Sequence, residues 1–293
     1  MSKLLITADW HIRSTVPSCI EATPEEWMDF QKKSVHRVLE IAKENNVDEI
    51  DVGGDLYHSE RTSTNECTYI LQNVAQEADE QGTPMYIFAG NHDLINHSSS
   101  NIPKSAIGVL LNSKSVRNMA RDTSYIKACN FDEDDYGNAK LIFKHVLTIP
   151  SKDKPDFIEC ETPESLLEKY SSSQWIFTGD YHKNFHFEKD GRHVVNSGCL
   201  MRQAADFENY TPGVYVVDTE TEDVDFVSIG LEQKFNHNGY EKKALDQTIE
   251  NFVEGIKAED VTLDYVSSLR NEAKNHDKSI QNKIDGWIEQ SGN

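Results

Sequence analysis

Asp9-Trp10-His11, Gly54-Asp55, Gly90-Asn91-His92-Asp93, His145 and Gly179-Asp180-Tyr181-His182 supply, in that order, oxygen and nitrogen ligands of the kind divalent cations bind. No single stretch is informative, because Asp-x-His and Gly-Asp arise by chance in chains of this length. The ordered set is informative, since each member follows an apolar run of β-strand character. Such runs would place the side chains at the C-terminal ends of strands, where open α/β sheets gather their ligand sites. Metal-assisted ester hydrolysis asks for two neighbouring cations, a shared ligand and a water between them. In the simplest assignment Asp9, His11 and His182 take one ion, Asn91, His145 and Asp180 take the other, and Asp55 bridges. Ions so held acidify their shared water enough to supply hydroxide near neutral pH, and they clamp phosphate oxygens as charge builds at phosphorus.

His92 sits beside a ligand but is not needed as one, so it is placed to protonate the leaving oxygen. Asp93 is expected to hold the His92 ring in one tautomer. Arg13, Lys183 and Arg202 could position substrate phosphates through charge-assisted hydrogen bonds, or could simply be solvated. Trp10 and Tyr181, inside the motifs, are expected to wall the site, with stacking on a base as the alternative. His58, His97, His186 and His193 fill no slot in the two-metal scheme and read as surface or supporting groups. No cysteine is among the ligands, which weakens a purely structural zinc site.

The elements that must carry these residues are legible as alternating patterns. Lys3 to Ala8 reads as a buried strand ending at Asp9. Thr23-Pro24-Glu25-Glu26 announces a helix, with Thr as cap and Glu three residues on, and apolar spacing extends it to about Asn46. Asp48 to Val52 returns as a strand, a second helix covers roughly Thr64 to Gln81, and Met85 to Ala89 is the third strand. This β-α-β-α-β order implies parallel strands with right-handed crossovers. Further on, Ser124 to Cys129 and Leu141 to His145 read as strands around an acidic hairpin tip, Asp132 to Gly137. Thr162-Pro163-Glu164 caps a short helix, and Trp175 to Thr178 leads into the last motif. Phe185 to Glu188 pairs with His193 to Val195 around Asp190-Gly191, and Val214 to Val217 pairs with Val224 to Ile229. Two sheets stacked face to face with helices outside are expected. From Leu231 the chain turns polar and helix-prone, with apolar stripes at Leu245, Ile249, Phe252, Val253 and Ile256 and at Ile280, Ile284 and Ile288. Such a tail folds back on the main domain or docks a partner.

Composition sets the outer limits. With 293 residues, 37% apolar and 27% charged, the chain is neither membrane-embedded nor disordered in type, and no run of 18 apolar residues occurs. The opening apolar stretch is too short for a signal peptide. Five scattered cysteines, never in a C-x-x-C pair, fit a reduced cytoplasmic protein. A formal charge of −21 repels nucleic acid at long range and argues against a sequence-reading DNA module. It leaves a phosphodiesterase open, because bound divalent ions invert the local field and a partner could supply a basic grip.

The ordered motifs resemble those of the calcineurin-like metallophosphoesterases. Within that superfamily the D-W-H opening, Gly53-Gly54-Asp55-Leu56-Tyr57, Asn196 to Gln203, Phe207-Glu208 and Gly213-Val214-Tyr215 look most like SbcD-type DNA-repair nucleases, including shorter phage-encoded relatives. The likeness spans about residues 3 to 230. It implies an α/β fold, a four-layer α-β-β-α sandwich of two mixed sheets, with residues 1–230 as catalytic domain and 231–293 as helical C-terminal extension. It also implies two divalent ions, Mn²⁺ foremost with Mg²⁺, Fe²⁺ or Zn²⁺ as substitutes, DNA as substrate, a large SbcC-type ATPase partner and a homodimer. A phosphatase or small-molecule phosphodiesterase of the same fold, or a scaffold that has lost catalysis, are the alternatives. Two departures stand out: Asp180 occupies a position that is usually His, and the C-terminal extension is too short for a DNA-capping domain.

Overall fold

β1 (Lys3–Thr7) sends Leu4 and Ile6 to one face and Leu5 to the other, and all three are buried. A strand covered on both faces needs successive apolar residues, which is why this run shows no polar alternation. α1 (Pro24–Glu44) starts at the expected capping box. Thr23 Oγ1 accepts from the Glu26 N–H at 3.2 Å, and Glu26 Oε2 accepts from the Thr23 N–H at 2.8 Å. Then follow β2 (Glu49–Val52), α2 (Asn65–Glu80), β3 (Met85–Ile87), α3 (Ala106–Asn112) and a two-residue edge strand, β4 (Arg117–Asn118). These four strands are parallel, and a helix makes each crossover.

β5 (Ile126–Ala128), β6 (Leu141–His145), α4 (Pro163–Lys169), β7 (Trp175–Gly179), β8 (Phe185–Lys189) and β9 (Arg192–Asn196) build a second sheet in the order β5-β6-β7-β9-β8. β10 (Gly213–Asp218) and β11 (Val224–Ser228) return to the first sheet, whose order is β11-β10-β1-β2-β3-β4. The computed structural model describes residues 3–60, 65–119, 126–129, 131–132, 136–155 and 158–236.

Three apolar layers define the architecture. Leu4, Ile6, Phe143, Phe177, Val195 and Val217 lie between the sheets. Leu5, Ile50, Val35 and Val38 join the first sheet to α1. Ile142 and Ile176 meet Leu166 and Leu167 of α4 on the far side of the second sheet. The result is the expected four-layer α-β-β-α sandwich with two mixed sheets.

Both expected late hairpins form, and Asp190 and Gly191 take the left-handed pair of φ values, 54° and 68°, that a tight hairpin turn requires. One expectation is corrected. β5 and β6 are parallel, so residues 132–137 are not a hairpin tip. Acidic composition reports solvation, not chain direction, and about a dozen residues suffice for a parallel crossover. Asp132 accepts instead from the Ser99 N–H and hydroxyl at 2.9 and 3.2 Å.

The first compact unit runs to Asn236. Residues 234–236 lie antiparallel to residues 19–21, with the Glu21 N–H donating to the Lys234 carbonyl at 2.9 Å and the Asn236 N–H to the Cys19 carbonyl at 2.7 Å. The second unit, His237–Asn293, lies outside the described residues, and with it the expected stripes of the tail. Among the described residues no helix is long and apolar enough to cross a membrane.

Candidate metal centre

The C-terminal ends of β1, β2 and β3 meet those of β6 and β7 at one end of the sandwich, and every expected motif lies there. Asp9, His11, Asp55 and Asp180 all have positive φ, at 53°, 47°, 53° and 74°. Left-handed backbone costs about 1–3 kcal/mol at a non-glycine residue, and such strain persists only where the surroundings over-determine it. Here the surroundings are visible. The Asp9 N–H donates to the Gly54 carbonyl at 3.1 Å, and the His11 N–H donates to the Asp55 carbonyl at 2.9 Å. Gly54 itself has φ 93°, and a Cβ there would lie 2.7 Å from His145 Nδ1 and 2.9 Å from the Gly90 backbone. The glycine of the Gly-Asp motif is therefore required by both conformation and proximity.

His145 Nδ1 lies 2.8 Å from the Gly53 carbonyl, which can only accept, so Nδ1 carries the proton. Nε2 then lies 3.0 Å from the side-chain amide of Asn91, 3.3 Å from Asp55 Oδ2 and 4.0 Å from Asp9 Oδ1. A proton or a metal cation on that nitrogen would satisfy both carboxylate oxygens. A second convergence adjoins it: His11 Nε2 lies 3.0 Å from His182 Nε2 and 3.7 Å from the same Asp55 Oδ2. Ligands about 2.0–2.2 Å from one ion stand roughly 3–3.5 Å from one another, so these spacings suit coordination. The potential ligand atoms of Asp9, His11 and His182 lie mutually within 4.8 Å, as do those of Asp9, Asp55 and His145. Asp55 Oδ2 lies between the two histidine clusters, so both would draw on this carboxylate in holding divalent ions. The donor set, carboxylate, amide oxygen and imidazole, suits Mn²⁺, Fe²⁺ or Zn²⁺.

The family model for calcineurin-like phosphoesterases matches residues 2–198. The chain belongs to that family. No curated protein sequence matches it. Among solved structures, TT1561 of Thermus thermophilus is 11% identical with a TM-score of 0.46, over 78% of this chain and 99% of that one. PH1004 from Pyrococcus horikoshii is 12% identical with a TM-score of 0.43, over 85% and 94%. A novel archaeal phosphodiesterase is 14% identical with a TM-score of 0.38, over 77% and 99%.

In this calcineurin-like phosphoesterase the Gly-Asn-His-Asp motif works differently from expectation. His92 is anchored twice: its N–H donates to Asp55 Oδ1 at 2.9 Å, and its Nδ1 donates to the His58 carbonyl at 2.8 Å. The His58 carbonyl therefore sets the tautomer, and Asp93 does not. Asp93 is fully buried and accepts three backbone N–H groups, from Tyr57 at 2.9 Å, Gly90 at 3.0 Å and Leu56 at 3.3 Å. It ties the Asp55 loop to the Asn91 loop, which makes it a positioning residue. A carboxylate next to a histidine in sequence need not reach its ring when nearer N–H donors compete.

Other expectations divide. His58, read as surface or supporting, has its ring in the cavity with His11 and His92, whose centroids lie 5.8 and 5.9 Å away. The three imidazoles have ligand atoms within 4.8 Å of one another. Its only sequence signal was its position three residues after Asp55. Arg13 lines the same cavity, with Nε donating to Thr15 Oγ1 at 3.0 Å. Lys183 is exposed and lines a neighbouring cavity with Tyr181. Arg202 is corrected: Nη1 donates to the Glu208 carbonyl at 2.7 Å and the guanidinium lies 5.4 Å over Phe235. It fastens a loop, and its neighbour Gln203 lines the cavity instead. Trp10 is likewise a core residue, fully buried with Nε1 donating to Thr7 Oγ1. Asp180 joins neither ligand triad through its carboxylate; its N–H holds Asp9, at 3.1 and 3.2 Å from the two oxygens. His193 is buried against Trp175, while His97 and His186 are exposed.

Electrostatics follow from burial and crowding. Burial, opposed by His145 and reinforced by Asp55 and Asp180, lifts the Asp9 carboxyl to about 7. Burial followed by the Asp55 charge lifts Asp93 to about 7 as well. Burial also pushes Asp55 up, but His145, His11 and His92 outweigh it and hold this carboxylate well below its usual range. Burial would lower His145, yet Asp55, Asp9 and Asp180 prevail and hold its imidazole well above its ordinary value. Burial, with neighbouring imidazoles, lowers His11 and takes His58 to about 4.

In the metal-free protein, protons on Asp9 and His145 therefore balance the buried carboxylates. Metal binding must displace them. Mn²⁺ binding is expected to release protons at pH 6 and to strengthen as pH rises through about 7, where Asp9 ionises. Calorimetry in buffers of different ionisation enthalpy reads this directly, and pH-independent affinity without proton release would contradict it.

Proposed function

We propose that the chain is a two-metal DNA nuclease of the SbcD type, a phosphodiesterase working with Mn²⁺ in the cytoplasm in DNA repair, recombination or replication. The observation that carries the reading is the placement of His92. Its ring faces His11 at 4.9 Å beside the ligand cluster, with Nδ1 committed to a carbonyl and Nε2 without a hydrogen bond among the described residues. Asp9, His11, Asp55, Asn91, His145 and His182 hold the ions, with Asp180 close enough to act on Asp9 and His145. Once bound, the ions supply positive charge for phosphate oxygens and acidify a water. His92 as imidazolium donates its Nε2 proton to the leaving oxygen and returns to the tautomer that the His58 carbonyl already favours. Arg13 neutralises a substrate phosphate at the cavity mouth.

Support for DNA over other esters comes from the Asn196 to Gln203 segment, which resembles the nuclease pattern and closes the site from β9. The −21 charge weighs towards a small phosphoester instead. An SbcC-type ATPase subunit carrying basic DNA contacts would reconcile the two, and pairing as a homodimer is part of the same reading. The deciding assay compares single-stranded DNA with p-nitrophenyl phosphate esters in Mn²⁺. DNA cleavage is expected, and turnover of the esters alone would replace the nuclease by a phosphatase or small-molecule phosphodiesterase.

A further inference from the structure

Two cavities adjoin the ligand cluster, and His182 and Phe207 line both. The first, about 170 Å³, carries Arg13, His58, His92 and Gln203, and no carboxylate lines it. The second, about 440 Å³, is lined by Ile149, Tyr181 and Phe207, with Lys183 as its cation and Asp153, Asp180 and Asp206 as its anions among the described residues. We propose that this second cavity is a nucleoside subsite, taking the uncharged nucleoside esterified to the scissile phosphate, with Tyr181 as its stacking face. This deepens the phosphodiesterase reading and rests on it.

Size, charge and shape each select that occupant. Ligand pockets for single small molecules run to about 300–1,000 Å³, so 440 Å³ holds one nucleoside and excludes a duplex. Three carboxylates against one ammonium group repel a further phosphate, whereas a nucleoside brings no charge. Those carboxylates accept hydrogen bonds from the amino, imino and hydroxyl groups that bases and sugars carry. Phe207 is mostly covered, at 8% exposure, while Tyr181 is half-buried, so Tyr181 is the ring available to a base.

The subsite is also held in place. Fully buried Asn196 donates from Nδ2 to the Tyr181 carbonyl at 2.5 Å and to the Lys183 carbonyl at 2.9 Å, while its Oδ1 accepts from Thr178 Oγ1 at 3.0 Å. One amide thus fixes the backbone on both sides of His182, a candidate metal ligand. The backbone that carries the stacking ring, the ligand and the cation is thus anchored as one segment, which lowers the ordering cost of binding.

The test uses the full chain in Mn²⁺ and three chromogenic diesters: thymidine 5′-(p-nitrophenyl phosphate), thymidine 3′-(p-nitrophenyl phosphate) and methyl p-nitrophenyl phosphate. At least one nucleoside ester is expected to exceed the methyl ester in kcat/KM by about tenfold, the size of one base–aromatic stack. Tyr181→Ala should collapse that ratio, and Tyr181→Phe should restore it. A ratio unmoved by Tyr181→Ala, or no preference in the parent protein, overturns the subsite. A loss shared equally by all three esters would mark Tyr181 as a structural support of His182 and also overturn it. If no diester is turned over, the phosphodiesterase reading fails, and calorimetry of thymidine 5′-monophosphate then decides the subsite separately. Binding weakened about tenfold by Tyr181→Ala sustains it; equal binding by both proteins rejects it.

Discussion

Asp55→Asn is expected to cut Mn²⁺ affinity by more than about 100-fold, to leave fewer than two ions bound and to abolish hydrolysis; losing a partner that merely orients a ligand already costs roughly 10–100-fold. Asp55 does more than orient. Its Oδ2 faces His145 Nε2 at 3.3 Å and His11 Nε2 at 3.7 Å, so both halves of the site share it. Its Oδ1 also accepts the His92 N–H at 2.9 Å. Asparagine keeps the volume and an acceptor for that N–H, so the change isolates the charge. Either change also takes the nearest carboxylate from the buried His145 imidazolium of the metal-free protein, and alanine in addition leaves the His92 N–H without its acceptor. Breaking a buried pair in that way costs about 3–5 kcal/mol, which would appear as a lowered Tm without metal. Calorimetric titration settles the matter: two ions bound at parent affinity by the asparagine variant would show that Asp55 does not bridge.

The candidate ligands were legible as a set because their chemistry is tied to a pattern the sequence displays. Each of Asp9, Asp55, Asn91, His145 and His182 follows an apolar run that becomes a parallel strand, and strand order then delivers them to one edge. What stayed hidden depends on direction or on distant partners. His58 reaches the cavity because the chain bends after Asp55, whose left-handed φ of 53° no composition rule announces. Arg202 turns to Phe235 and Gln233, about thirty residues downstream, and only the folded chain brings them together. Asp93 looked like a companion of His92 because they are adjacent in sequence. Successive side chains leaving a bend diverge, and this one entered the core between two loops. The β5–β6 pairing failed for a related reason: turn composition marks where a chain meets solvent, but not whether the next strand runs up or down.

His92→Ala should keep both ions yet lower kcat on DNA by about 10²–10⁴-fold, the usual contribution of a positioned general acid. Metal retention follows from geometry, since the ring nitrogens of His92 bond neither to Asp9 nor to Asp55, and Nδ1 is taken by the His58 carbonyl. Turnover depends on the leaving group. Cleaving DNA expels an alkoxide, a strong base that needs a proton as the bond to phosphorus breaks. A p-nitrophenyl ester expels a nitrophenolate, a far weaker base that departs with little help. The loss in His92→Ala should therefore be large on DNA and small on the nitrophenyl diester. Asp93→Asn, by weakening the clamp on the Gly90 and Tyr57 N–H groups, should instead lower both substrates alike together with Tm. An equal loss on DNA and nitrophenyl ester in His92→Ala would reassign the imidazole to holding phosphate. In that case His58, the half-buried imidazole of the cavity that lies outside the candidate ligand set, becomes the group to test as the acid, although burial takes it to about 4 and leaves it mostly neutral at physiological pH. That handicap is the physical reason for assigning the acid to His92 and not to His58: of the two rings, His92 alone has Nδ1 held by a backbone carbonyl, which leaves Nε2 as the nitrogen that can serve the leaving oxygen.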